Sequence, residues 1–522
     1  MYSKPIKVWG PTIITLLLLS LMVSSCAKSD PNKKKLVFAL SADFDTLDVQ
    51  QAWSTSTPHT LLFSPLVTLG LKNDRAYPSL AESVELAPDG MSMTLVFPDD
   101  LKFSNGKKCT AQDILKSIQR YREISPYASD WEEVKDIKAE GQKLIIYFKQ
   151  PNAYFLPVIS SAYGGVVDVE EANRVGKEAF GQKPVGIGPY VLKEWVQGSH
   201  LVFERNPYYI DSTPFVKNHG PWHFEEVTVR IIPDNFTRIS ELEAGNVDVV
   251  TSVPAEFLDR VKNNPSLKLI SSIGQGQVYL ALNTHKAPFN LLEFRQALNY
   301  AINKDEIKTA WMGSVEPIYG LVSPAQLAYS EETEKELREK MKYNVEKAKA
   351  ILESLGYKDT DGDGYLEKDG KRLSLTLLGT SAQRVPLTVL QNQFKAVGIE
   401  VKIQEQASSY VRQAVTDRDF DMALLSWSWP DPDVWFYGLH SSMGKDSIWN
   451  SPEVDKLLEE QRKLVDPKAR TAKWAEISRK IADDLPFIPL YYWYNYTAVR
   501  SNIEGYQVSV SGNFFWNDAI KK

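Results

Sequence analysis

An α/β fold of two lobes with an inserted subdomain is predicted by three features of this 522-residue chain. Strand-like alternation and helix-like spacing take turns in two separate regions, on either side of a candidate crossing near residue 280. Short strand candidates with turns replace that rhythm between residues 70 and 180. The 497 residues that follow a leader of 25 are enough for two or three domains around a continuous interior.

In the first region Val227-Thr228-Val229-Arg230-Ile231-Ile232 alternates as a half-buried strand does. Asp234 can cap a helix that stops at Gly245, and Val247-Asp248-Val249-Val250 resumes a strand. A further helix over about Ala255 to Val261 leads to Leu267-Lys268-Leu269-Ile270. In the second region Leu373, Leu375 and Leu377 alternate with polar residues, and a helix covers roughly Pro386 to Val397. Ile399, Val401 and Ile403 then alternate again, ahead of the near-continuous apolar strand Phe420 to Leu425. Strands separated by single helices call for crossover connections, hence a largely parallel sheet.

The intervening stretch offers Met93 to Phe97 and Leu144 to Phe148 as strands. They are interrupted by a helix after Thr110, an N-cap with Asp113 at its third position. Glu331 to Ala350 is dense in Glu and Lys. Val345, Ala348, Ile351, Leu352 and Leu355 keep helical spacing there until Gly356, so the charges read as a solvated helix face.

The first 27 residues speak to location. Lys4 and Lys7 precede an eleven-residue run, Ile13 to Val23, broken only by Thr15 and Ser20, and Val23-Ser24-Ser25-Cys26 closes it. The run is short of the roughly 20 residues a membrane-spanning helix needs. It fits a secretory signal ending in a lipobox, cleaved before Cys26, whose thiol takes a diacylglycerol. Two or more acyl chains anchor stably where one is marginal. Polar residues from Ala27 to Lys35 cannot bury enough surface to order themselves and read as a tether.

The chain has a formal charge of −6, or −8 without the two leader lysines, and such a surface argues against nucleic acid, which asks for a basic footprint. With Cys26 lipidated, Cys109 has no partner and reads as a small buried residue. The sequence contains no Gly-x-Ser-x-Gly elbow, no His-Glu-x-x-His and no phosphate-binding glycine loop. His219 and His223 have zinc-helix spacing, but Gly220 and Pro221 would break that helix. No residue is assigned a catalytic role, and no cofactor or resident metal is called for. Asp359-Thr360-Asp361-Gly362-Asp363-Gly364 imitates the opening of a calcium loop, yet Gly370 stands where a bidentate Glu belongs. A tight turn in a hairpin is the better reading.

The richest stretch for binding follows the apolar strand: Ser426-Trp427-Ser428-Trp429-Pro430-Asp431-Pro432-Asp433-Val434-Trp435. Three of the thirteen tryptophans fall within nine residues, beside two carboxylates and two prolines that stiffen the loop. Ligands of open α/β sheets sit beyond the carboxyl ends of strands, where this loop emerges. Indole faces give large contact area, and carboxylates can hold an amine or a sugar hydroxyl. Trp427, Trp429 and Trp435 are therefore candidate ligand contacts, with Asp431 and Asp433.

Six segments in order resemble the extracellular solute-binding proteins of family 5, which serve peptide, nickel and oligosaccharide importers. Phe103-Ser104-Asn105-Gly106 with Thr110-Ala111-x-Asp113, Gly186-Ile187-Gly188-Pro189-Tyr190, and Arg205-Asn206-Pro207-Tyr208-Tyr209 are similar to family segments. So are Glu243-Ala244-Gly245-Asn246-Val247-Asp248, and Leu282-Asn283-Thr284 with Phe294-Arg295-Gln296-Ala297-Leu298-x-Tyr300-Ala301-Ile302. Pro486-x-Ile488-Pro489-Leu490 completes the set.

The resemblance implies a periplasmic-binding-protein-like fold of type II. Carried over, residues 1–25 are the lipoprotein signal peptide and 26–35 the lipidated tether; 36–53, 183–278 and 491–522 form lobe I, 54–182 the inserted subdomain, and 279–490 lobe II. It further implies a monomer outside the cell membrane whose lobes close on a small ligand, and whose closed form is read by ABC permease subunits with their ATPases. The chain itself would bind no nucleotide. Peptide binders of the family place an Asp shortly after the Trp that corresponds to Trp427, to grip the peptide's amine. Here that place falls on Pro430 or Ser428, leaving Asp431 or Asp433 as substitutes. Trp53 adds a flat ring near a ligand-facing position of the relatives. Peptides are the expected ligand, with an oligosaccharide as the alternative and a secreted hydrolase as the alternative class.

Overall fold

In a computed structural model, residues 34–446 and 448–522 are described; the leader, Cys26 and the tether as far as residue 33 lie outside them. Lys35, expected to close the tether, begins the first strand, Lys35–Leu40. That strand has parallel neighbours on both sides, Glu226–Ile231 and Val249–Val250. The hairpin of Tyr190–Val196 and His200–Arg205 extends this sheet in antiparallel fashion. The helix Asn235–Ala244 forms between two of these strands for local reasons. The Asp234 carboxylate accepts the Thr237 N–H at 2.8 Å, and Gly245 leaves the helix with φ 82°, a conformation costly for other residues.

In lobe II, Ser374–Gly379 runs parallel to both Glu400–Glu405 and Met422–Ser428. The helix Arg384–Ala396 makes the first of these crossovers. Beyond Met422–Ser428 the order continues through Gly276–Leu282 to Phe487–Arg500, now antiparallel. The expectation of largely parallel sheets is therefore corrected. Each lobe keeps one parallel trio, while its hairpin or its lobe-crossing strands run back against it.

Phe487–Arg500 is shared by both lobes. Its first residues pair with Gly276–Leu282, whereas Tyr494 to Arg500 pair with Leu267–Ile273. The other crossing lies at Gly274-Gln275, ahead of the expected boundary at residue 278.

The inserted stretch forms its own antiparallel sheet in the order Ser83–Leu86, Ser92–Val96, Lys143–Phe148 and Val134–Glu140. The helix Ala111–Ile124 packs on it, and Thr110 and Asp113 hydrogen-bond each other's backbone N–H in a capping box. Cys109 is buried in that core, and burial pushes its thiol above the ordinary range.

The charged segment breaks into two helices, Glu331–Lys340 and Val345–Ser354, which bury Leu337, Ala348 and Leu352 and leave most Glu and Lys in water. Asp359, Asp361 and Asp363 lie on an exposed turn that leads into the hairpin Glu367–Lys368 with Lys371–Arg372. Their oxygens accept the turn's own N–H groups, from Gly362, Gly364 and Asp363 among others. Among the described residues, no helix is long and apolar enough to cross a membrane.

Candidate functional site

Two close approaches, one on each side of the crossing segments, shape the strand ends. A Cβ added to Gly188 would lie 2.3 Å from the carbonyl carbon of Leu62, so the Gly186-Ile187-Gly188 segment packs directly on the end of the helix Thr57–Leu62. In lobe II a Cβ on Gly276 would come within 1.8 Å of the Trp427 carbonyl oxygen. Only glycine lets Gly276–Leu282 lie this near the strand that feeds the tryptophan loop.

A cavity of about 600 Å³ opens between these ends. Lobe I contributes Ser252 and Trp516, the crossing segments contribute Gln275, Asn495 and Thr497, and lobe II contributes Trp429. Thr251 and Ser252 follow the carboxyl end of Val249–Val250, and Trp429 follows that of Met422–Ser428, the position where open α/β sheets hold ligands. The wall is built of hydroxyls, amides and aromatic faces. Ser252 is held at φ 57°, an uncommon conformation for a residue with a side chain.

The six residues predicted for the ligand do not come together. Trp429 lines the cavity, with its N–H donated to the Gln275 carbonyl at 2.8 Å and its own carbonyl accepting from Gln326 at 2.8 Å. Trp427 is not part of the cavity wall; it is half-buried against the lobe II core, where a Cβ on Gly438 would sit 3.4 Å from its indole nitrogen. Trp435 is 1% exposed, stacks on Phe487 at 4.7 Å and donates to the Leu321 carbonyl. Trp53 is 74% exposed beside Tyr127 and outside the cavity wall, which takes in Thr55 and Ser56 from its segment.

Asp431 and Asp433, expected to face an amine, are instead buried in lobe II. Arg470 grips both oxygens of Asp431 at 2.6 Å, and Arg462 grips Asp433 at 2.9 and 2.8 Å. Gln461 bridges the pairs, donating to Asp433 and accepting from Arg470. Burial opposes the charge on Arg470, but the facing Asp431 more than offsets it and raises the guanidinium above its ordinary range. These carboxylates stiffen the loop rather than present charge to the cavity.

Sequence reasoning missed Gln275, Asn495, Thr497 and the segment around Trp516. The alternation of Asn495 and Thr497 along one face of a strand was the available signal. Nothing in the sequence places that strand between the lobes.

A family profile described as bacterial extracellular solute-binding proteins, family 5 Middle, matches residues 75–447. The chain belongs to this family. Among curated family 5 relatives, the oligopeptide-binding protein AppA of Bacillus subtilis (strain 168) is 30% identical over 453 residues, covering 82% of this chain and 80% of AppA. The nickel-binding periplasmic protein of Escherichia coli (strain K12) is 27% identical over 456 residues, covering 83% and 84%. Of solved structures, AppA in complex with a nonapeptide superposes with a TM-score of 0.71 at 26% identity, over 94% of this chain and 99% of that one. HbpA2 from Haemophilus parasuis shares the fold with a TM-score of 0.79 at 20% identity, over 94% and 100%. The two-lobed architecture is that of family 5 binding proteins.

Proposed function

We propose that this family 5 protein captures oligopeptides between its lobes and hands them unaltered to the permease of an ABC importer, anchored outside the cell membrane through a lipid on Cys26. The observation that carries the reading is the cavity at the crossing segments, walled by both lobes at once. A ligand touching both walls favours closure by its differential affinity for the closed form, with no chemical step required. The peptide assignment is supported by the likeness to AppA, whose name and bound nonapeptide are peptidic. A nickel complex is less favoured, because no histidine or cysteine among the described residues lines the cavity.

An oligosaccharide is the second reading, favoured by Trp429 and Trp516 among hydroxyl and amide groups, a setting in which sugar rings stack. Titration of the purified protein with oligopeptide and oligosaccharide pools separates the two. A rise in melting temperature with peptides, and recovery of unchanged peptide afterwards, is the expected result. A response to sugars alone would discard the peptide reading, and recovered fragments would discard the non-catalytic one. Incorporation of labelled fatty acid, abolished by Cys26→Ser, tests the anchor.

A further inference from the structure

We infer that the cavity takes its ligand as an uncharged segment: it buries neutral amide or hydroxyl groups, offers no cation to a terminal carboxylate and, apart from the hydrogen-bonded Asp211, no carboxylate to a terminal ammonium. This rests on the reading of the cavity as the ligand site.

Among the described residues the lining contains no Lys, Arg, His or Glu, and its single carboxylate is Asp211. Asp211 is committed to the protein. One oxygen accepts the Thr213 N–H at 2.9 Å, and the other accepts from the Asn517 amide at 2.7 Å and the Tyr209 hydroxyl at 3.2 Å. The two acids on the loop that carries Trp429 are neutralised by Arg470 and Arg462. A ligand carboxylate drawn into this space would lose its water without gaining a cation, and an ammonium would find only Asp211, whose oxygens already accept three hydrogen bonds from the protein; either loss exceeds that of a neutral polar group that finds a partner.

Neutral partners are on offer. The side-chain nitrogen of Gln275 is buried at the cavity wall without a hydrogen-bond partner among the described residues. An amide N–H left in that state calls for an acceptor oxygen, which a peptide carbonyl or a sugar hydroxyl supplies once the Gln275 side chain turns to bring that nitrogen to the cavity surface. Asn495 and Thr497 extend the same neutral polar wall along the shared strand. For a peptide the charged ends then lie outside the cavity, and selection acts on its interior.

The test uses protein extracted intact from membranes. A random nonapeptide library, the same library N-acetylated and C-amidated, and a set of neutral oligosaccharides are each titrated, with binding read by calorimetry and native mass spectrometry. The blocked library is expected to bind within threefold of the free one, and Gln275→Ala to weaken both by tenfold or more. Binding of the saccharides with neither library would remove the peptide reading and leave this inference standing. A blocked library more than tenfold weaker than the free one would overturn it while leaving the peptide reading intact. Failure of both the blocked peptides and the saccharides to bind would also overturn it.

Discussion

The guanidinium carbon of Arg462 stands 4.5 Å from the centre of the Tyr154 ring, joining lobe II to the inserted subdomain. The backbone repeats the link, since Ala153 donates its N–H to the Arg462 carbonyl at 3.0 Å. The same guanidinium holds Asp433 and lies 3.3 Å from the centre of the Phe436 ring. One side chain thus ties the base of the tryptophan loop to a neighbouring unit across the molecule.

Replacing Tyr154 by Ala removes the ring face but leaves the Arg462–Asp433 pair in place. A cation–π contact of this kind contributes about 0.5–2 kcal/mol. The expected outcome is a threefold to tenfold loss of ligand affinity by calorimetry, with a more open envelope in solution scattering and a nearly unchanged melting temperature. Unchanged affinity and scattering would show that this contact does not bias closure.

Arg470→Leu should be among the most damaging single changes in lobe II. Asp431 is 0% exposed, so the change strands a carboxylate in the interior. Breaking such a buried pair from one side costs about 3–5 kcal/mol. Urea unfolding followed by tryptophan fluorescence gives the value, and Asp431→Asn in the same background should recover part of it.

The three loop tryptophans should separate cleanly. Trp429→Ala removes cavity wall and is expected to weaken binding by more than tenfold, at about 1.4 kcal/mol per decade, with stability nearly intact. Trp435→Ala opens a hole beside Phe487 and Tyr279 and should cost about 3–5 kcal/mol of stability. Trp427→Ala should lower stability by less than Trp435→Ala and leave affinity nearly unchanged, because its ring is half-buried against the core cluster rather than in the cavity wall. Parallel measurements of affinity and unfolding check all three.

Acid sensitivity should centre on His59. It is buried on the helix Thr57–Leu62, and burial lowers its pKa to about 4, with the Thr46 carbonyl and Asp48 pulling the other way. Its Nδ1 accepts the Ser56 N–H at 3.3 Å, so Nε2 carries the proton donated to the Thr46 carbonyl. The folded pKa lies below the unfolded value of 6.5, and the unfolded chain therefore binds the extra proton. This contribution is complete above pH 6.5 and falls by about 1.4 kcal/mol per pH unit down to about pH 4. Unfolding midpoints across that window should slope for the native chain and flatten for His59→Gln.

What could be read from the sequence was what is encoded locally. Asp234 and Gly245 bracket their helix with side chains that act within one turn, and Thr110 with Asp113 does the same. The tryptophan loop was also found, since a strand end rich in Trp and Pro is a local pattern. The role of its carboxylates was not. Their partners lie 29 and 39 residues further along, on two helices whose docking depends on the whole lobe. The crossing strand was hidden for a similar reason: Pro489 and a run of aromatic residues obscure its alternation, and its pairing partners Leu267–Ile273 and Gly276–Leu282 lie far upstream in the chain.

The strand Phe487–Arg500 has a consequence for how the molecule is made. Synthesis proceeds from the amino end, so both major sheets lack a member until nearly the whole chain has emerged. Neither half can finish folding ahead of the other, and a polypeptide interrupted before Phe487 would expose two unfinished sheet edges at once.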